Sequence, residues 1–172
     1  LQVTTDLTIS FWAKPFDIDS PSRQNPIHKD YTHEYTMTME TSGDLSFYFN
    51  DSDSSYNNYQ ADNMFQNDGE WVHVTAVRKN GDGVYWYRNG ELFQTEGWSG
   101  GDPVAGGSNV QIGDGYTNPF NGILDDFRIY ATALSDDEVK DIYEQRASID
   151  SGGNLHTTHI TETKHRGRIA DY

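Results

Sequence analysis

The chain is 172 residues long, contains no cysteine and carries a formal charge of −15. Disulfide stapling and thiolate chemistry are therefore excluded, and nucleic acid and anionic membranes are poor partners for so acidic a surface. The carriers are uneven, with 19 Asp against 8 Glu and 5 Lys against 7 Arg, a balance that attracts cations and fits either a protein of a salt-loving organism or an ordinary acidic secreted one.

One domain with a substantial core is the simplest organisation at this length. No run approaches the roughly 18 apolar residues of a membrane span, so no membrane insertion is expected, and no signal-peptide pattern is present. The chain opens directly on the strand-like "LQVTTDLTISFWAKP" and reads as a mature or excised piece of something longer.

Alternation runs through the first 130 residues or so. In "LTISFWAK", Leu7, Ile9, Phe11 and Ala13 share a face; in "EYTMTMET", Tyr35, Met37 and Met39 do; in "DLSFYFN", Leu45, Phe47 and Phe49. "WVHVTAVRK" sets Val72, Val74 and Ala76 against Trp71, His73, Thr75 and Val77. "GVYWYRNGELFQ" predicts a hairpin closed at Asn89-Gly90 by a type I′ turn, whose central residues need positive φ. "NVQIGDG" and "GILDDFRIY" supply the last strands of the body. Short strands joined by turn residues predict an all-β sandwich.

One helix is signalled, in "LSDDEVKDIYEQR". Ser135 and Glu138 form a capping box, Leu134 and Val139 a hydrophobic staple, and Val139, Ile142 and Tyr143 an apolar stripe. After Arg146 the character changes. Residues 1–146 carry 9 positive and 24 negative side chains, and residues 147–172 carry 3 of each. We therefore divide the chain into a sandwich at 1–146 and a linker or docking arm at 147–172, the latter with a predicted strand at 155–161.

The ordered series "LTISFWAKP", "GDLSFYF", "WVHVTAVRKNGDGVYWYRNGEL", "QIGDG" and "FNGILDDFRIYATALSDDEVKDIYE" resembles the laminin-G-like branch of the concanavalin A-like lectin/glucanase superfamily, over roughly residues 5 to 145. The resemblance implies a two-sheet antiparallel jelly roll with a short helix after the last strand. It also implies a further strand before "LTISFWAKP", which this chain lacks. Residues 155–161, another chain or residues upstream are the candidates to complete the sheet, since an open edge invites association.

Glycosidases on the resembled fold carry E-x-D-x-E on one strand, placing acid and nucleophile on one face. No such triplet occurs here, and Glu91 and Glu96 fall on opposite faces; nor is there a G-x-S-x-G, an H-E-x-x-H or a phosphate loop. The expectation is no enzyme. For metal, Asp125 corresponds to an aspartate that helps hold a structural calcium in the superfamily, although its partners there lie in the missing strand; the alternative is a solvated strand start with Arg128 as ion-pair partner. Asp125 and Asp126, adjacent on a strand, would face opposite ways and could not act as a joint acid and base. Asp51 and Asp53 in "DSDSSYNNYQADN", and Asp114 in "GDGY", are further oxygen ligands for Ca²⁺. Tyr56 stands where an EF-hand needs glycine, so only an irregular calcium loop is in question. His156 and His159 lie on opposite strand faces and make poor joint ligands, and His73 reads as structural.

Sugar sites pair aromatic faces with short polar side chains from loops. Tyr56, Tyr59, Trp98 and Tyr116 sit in Gly-, Asn- and Asp-rich stretches and are the candidate ligand-binding residues, with plugging of the core ends as the competing role. Asn50-Asp51-Ser52 is a glycosylation sequon. Together these readings predict a non-catalytic recognition or adhesion module of a larger extracellular assembly, binding glycans or glycoproteins with calcium assistance. The second reading is a structural virion protein (a spike, fibre or capsid decoration) of a virus infecting a halophile, motivated by the weak likeness of "IDSGGNLHTTHITE" to connectors of phage fibres. The expected location is extracellular, on a cell or virion surface, with assembly through residues 147–172.

Overall fold

The computed structural model describes residues 2–51 and 56–145, together with the backbone of 148–149, 155–156 and 168–171. The alternating segments form two packed sheets. One contains β1 (Leu7–Pro15), β6 (Val72–Lys79), β7 (Gly83–Arg88), β8 (Glu91–Gly97), β11 (Gly122–Tyr130) and β14 (Arg168–Asp171), in the order β14-β11-β1-β6-β7-β8. The other contains β2 (Gln24–Asp30), β3 (Tyr35–Met39), β4 (Leu45–Asn50), β5 (Tyr56–Ala61) and β10 (Asn118–Pro119), in the order β10-β2-β3-β4-β5, with β9 (Gln111–Ile112) also bonded to β2. Every pairing in the two sheets is antiparallel except that of β10 with β2. The expected jelly-roll sandwich is what forms.

The core lies where the period-2 pattern put it. Leu7, Ile9 and Phe11 from the first sheet meet Met37, Phe47 and Phe49 from the second, all essentially without solvent contact. Each such side chain contributes about 1.5–3 kcal/mol on burial. Strand β6 is buried on both faces, because its outer face is roofed by the helix α1 (Asp136–Gln145). Val77, Tyr87, Tyr130, Leu134, Val139 and Ile142 make a second, smaller core there.

Local chemistry fixes the joints. Glu138 Oε2 accepts from the Ser135 backbone N–H at 2.9 Å and from its hydroxyl at 3.0 Å, while the Ser135 hydroxyl accepts from the Glu138 N–H at 3.4 Å, closing the capping box. Asn89 and Gly90 have φ of 53° and 80°, as the I′ turn demands. A Cβ at Gly90 would also stand 2.7 Å from the Tyr143 ring, so glycine there lets the helix sit on the hairpin.

Two expectations are corrected. The alternation expected at Asp125 and Asp126 is broken by a β-bulge: Ser10 pairs with Arg128 and Trp12 with Asp125, so one residue of β1 faces two of β11. Asp126 takes φ 54° at the bulge, and the shift lets Phe127 stack on Phe11 at 4.6 Å. The second correction concerns the arm. The open edge of β11 is taken by Arg168–Asp171; of the segment 155–161, Leu155–His156 (β13) pairs with Ser148–Ile149 (β12) as a small separate ladder, and 157–161 lie outside the described residues. His159, Lys164 and Arg166 lie outside the described residues, as do Asp53, Ser55 and the sequon's Ser52.

Candidate ligand-binding face

The outer face of the second sheet is built by the residues that alternate away from the core. Thr36 and Thr38 come from β3 and Glu40 just after it, Ser46 and Tyr48 from β4, and Tyr56, Asn58 and Gln60 from β5. Three groups reach the same face from outside these strands: Arg23 just before β2, Tyr31 in the turn after it, and Tyr116 between β9 and β10.

Four tyrosines from four chain segments meet there. Tyr31 stacks on Tyr116 with centroids 4.2 Å apart, Tyr48 stacks on Tyr56 at 5.1 Å, and Tyr31 links the two pairs by lying 5.5 Å from Tyr56. His28 flanks Tyr116 at 5.7 Å. Tyr56 and Tyr116 keep 45% and 39% of their surface in solvent, although both belong to an aromatic cluster that could have closed on itself.

The Arg23 guanidinium lies between the rings, 5.2 Å from the Tyr48 centroid and 6.0 Å from that of Tyr116. Its Nε is 2.8 Å from Glu40 Oε2, and its Nη2 donates to Glu40 Oε1 at 3.0 Å and to the Tyr48 hydroxyl at 2.6 Å. Tyr48 in turn donates to Glu40 Oε1 at 2.6 Å. Burial pulls the guanidinium's pKa down, but the hydrogen bond to Glu40 and the charges around it outweigh that and leave it raised. Burial raises the phenols of Tyr48, Tyr56 and Tyr116 as well, so all three are neutral donors and acceptors near neutral pH.

Asn25, fully buried on β2, holds the Tyr116 loop in place. Its Oδ1 accepts from the Thr117 N–H at 2.8 Å and from the Thr117 hydroxyl at 2.6 Å, and its Nδ2 donates to the Met37 carbonyl at 2.8 Å. A Cβ at Gly115 would stand 2.6 Å from His28 Cβ, so only glycine lets this loop lie so close to β2.

Of the expected ligand residues, the structure brings Tyr56 and Tyr116 together and places the other two elsewhere. Tyr59 points inward and is 1% exposed; it stacks on Phe49 at 5.6 Å and exchanges hydrogen bonds with the Ser99 backbone. Trp98 packs against Phe49 and Tyr59 at the same end of the core. Tyr31, Tyr48 and Arg23 were not among the expected residues.

The candidate metal residues are dispersed. Asp51 is 4% exposed; its Oδ2 accepts from the Gly101 N–H at 2.9 Å and from Asn57 Nδ2 at 3.3 Å, fastening the 98–104 loop to β4. Asp114 is exposed and accepts from the next N–H in its loop. Asp125 Oδ1 accepts from the Asp126 N–H, and the Asp126 carboxylate is gripped by Arg128 through Nε and Nη2, both at 3.0 Å. Among the described residues no three His, Asp or Glu side chains gather as a metal-binding group.

His73 is buried beneath the helix, its Nε2 3.0 Å from the Ser10 hydroxyl and its ring against Trp12 and Tyr143. Sealed in this way, the Ser10–His73 contact is part of the packing between sheet and helix.

Two facing antiparallel sheets, a helix capped behind the last long strand and a ring-lined outer face define a lectin-type jelly roll. Residues 1–140 match the laminin-G-type family model of the concanavalin A-like lectin/glucanases superfamily, and the chain belongs to that superfamily. No curated protein matches it in sequence. Among solved structures, the ligand binding domain of botulinum neurotoxin serotype D in complex with N-acetylneuraminic acid aligns with a TM-score of 0.67 at 18% identity, over 90% of this chain and 40% of that one. The receptor binding domain of botulinum neurotoxin D gives 0.65 at 17% identity, over 90% and 42%. The binding domain of Paraclostridial Mosquitocidal Protein 1 gives 0.64 at 16%, over 83% and 37%. These likenesses are of fold, and the chain spans about 40% of the length of the first of them. No helix among the described residues is long and apolar enough to cross a membrane.

Proposed function

We propose that this chain is a non-catalytic glycan-recognition module of a larger extracellular assembly, and that it binds sugar on the tyrosine face of its second sheet. The observation that carries the reading is the convergence of Tyr31, Tyr48, Tyr56 and Tyr116 on one face, with two of the rings held open to solvent. Rigid phenol rings offer the apolar faces of sugars a stacking surface at low entropic cost, and their hydroxyls, with Asn58 and Gln60, supply hydrogen bonds at the rim. Membership of a lectin-containing superfamily supports it, as does a solved neighbour in complex with N-acetylneuraminic acid. The non-catalytic part is supported by Glu40, the carboxylate at the heart of the face, which is already engaged by Arg23 and Tyr48. Glycosidase chemistry asks for a pair of available carboxylates roughly 5–9 Å apart.

A glycan array followed by titration calorimetry tests the proposal. Binding to a defined set of sugars, weakened by Tyr56→Ala, is the expected result; absence of binding from a folded chain would sink it. Calcium assistance is a separate part of the reading, supported by the Asp-rich composition. A melting shift between Ca²⁺ and EDTA is its measure.

A further inference from the structure

We infer that the tyrosine face takes neutral sugars and discriminates against sialylated or otherwise carboxylated ones. The inference rests on the glycan reading above and adds to it the class of ligand.

The charge around the face carries the argument. Strands β3, β4 and β5, the turns between them, and the segment 107–121 that delivers Tyr116 contain no Lys, Arg or His. The basic side chains on β2 and its flanking turns are Arg23, His28, Lys29 and His33. Arg23 grips Glu40 through two nitrogens, at 2.8 Å and 3.0 Å. Lys29 is 2% exposed, and its Nζ lies 2.6 Å from Glu34 Oε1. His33 Nδ1 lies 3.0 Å from Asp30 Oδ1. His28 sits beside Tyr116 with its pKa lowered by burial, so it is uncharged near neutral pH.

Among the described residues, every cation near the face therefore has its carboxylate or carries no charge, while Asp114, whose charge acts on His28, stands exposed. A sugar carboxylate arriving there meets uncompensated negative charge and, among the described residues, no uncommitted guanidinium to receive it. A neutral sugar meets none of this repulsion. It can lay an apolar face on Tyr56 or Tyr116 and donate hydroxyl protons to acceptors such as Asp114, for which an anionic rim is favourable.

The test uses the full chain and immobilised matched glycan pairs that differ only by a terminal N-acetylneuraminic acid. At low salt the neutral member should bind about tenfold tighter or more. In about 1 M NaCl, where the screening length falls to about 3 Å, the gap should shrink. Two variants read the cause. Asp114→Asn, at an exposed position, should narrow the gap by lifting the sialylated member. Glu40→Gln, which releases the Arg23 guanidinium, should narrow it further. Equal or tighter binding of the sialylated members would overturn the inference and leave the glycan reading standing. A gap that neither salt nor Asp114→Asn alters would also overturn it, since its cause would then be shape. If a folded chain binds neither member of any pair, the glycan reading itself fails, and the inference with it.

Discussion

Tyr56 and Tyr116 are the residues on which the proposed function turns, and they differ from Tyr59 and Trp98 in which way the chain presents them. All four sit in polar, glycine- or asparagine-rich surroundings, so composition alone does not separate them. "YNNYQA" carries no hydrophobic alternation and reads as loop, yet it pairs along β4 as β5, and that pairing turns Tyr56 out and Tyr59 in. Tyr48 was legible, because the alternation of "DLSFYFN" already sets it opposite Phe47 and Phe49. Arg23 and Tyr31 were not, since nothing local marks where a turn will lay its side chain. Replacing Tyr56 or Tyr116 by alanine should each weaken glycan binding roughly tenfold, or about 1–2 kcal/mol, with little change in melting temperature, because both rings are already half in water. Calorimetric titration of the single variants checks this, and a large fall in melting temperature would instead assign the rings to the fold.

At the scale of elements, two joints bear unusual loads. Gly90 closes the β7–β8 hairpin at φ 80° and also receives Tyr143 of the helix, so Gly90→Ala strains the turn and pushes the helix away from the sheet together. A loss of at least about 1 kcal/mol follows, seen as a drop of a few degrees in melting temperature. The Asn-Gly signal made the turn legible; the ring above it was not, because contacts between a hairpin and a helix more than fifty residues later leave no local trace. The second joint ties down the N-terminal segment. Glu34 accepts from the Val3 N–H at 2.7 Å, from the Gly106 N–H at 3.0 Å and from Lys29 at 2.6 Å, while buried Arg78 donates to the carbonyls of Val3, Thr5 and Glu34. Burial pushes the Arg78 guanidinium down to about 10, with Glu34 opposing, and it stays charged at neutral pH. Glu34→Ala leaves Lys29 buried without its partner and should cost about 3–5 kcal/mol, readable by urea unfolding. A loss below about 1 kcal/mol would show that the network contributes little. The same network explains why "PIHKDYTHEY" gave no warning of it: a Lys and a Glu five apart read as solvated charges until the fold closes over them.

For the molecule as a whole, alternation, turn chemistry and the capping box were enough to predict the sandwich and its helix. The bulge at Asp126 and the edge strand at Arg168–Asp171 escaped, because both arise from pairing across the sheet. His28, beside the proposed ligand face, ties stability to pH. Burial holds its imidazole below the ordinary 6.5, against the fields of Asp30 and Asp114, so between those two values the unfolded chain binds more protons than the folded one. Stability from this group is therefore complete above about pH 6.5 and declines as pH falls through that window. Replacing His28 by Gln should remove that part of the pH dependence, and thermal melts of both proteins from about pH 5 to about pH 7 give the difference directly. Identical pH profiles would place the imidazole's titration outside the folding equilibrium.

The central claim is that one sheet face, organised by tyrosines, is the recognition surface. Its most direct test is calorimetric titration of the intact chain and of Tyr56→Ala/Tyr116→Ala with the tightest glycan found on an array, alongside thermal melts of both. The predicted result is an affinity loss on the order of a hundredfold at nearly unchanged melting temperature, two ring contacts at about tenfold each. Undiminished binding by the double variant would contradict the claim and move the site to another surface of the sandwich.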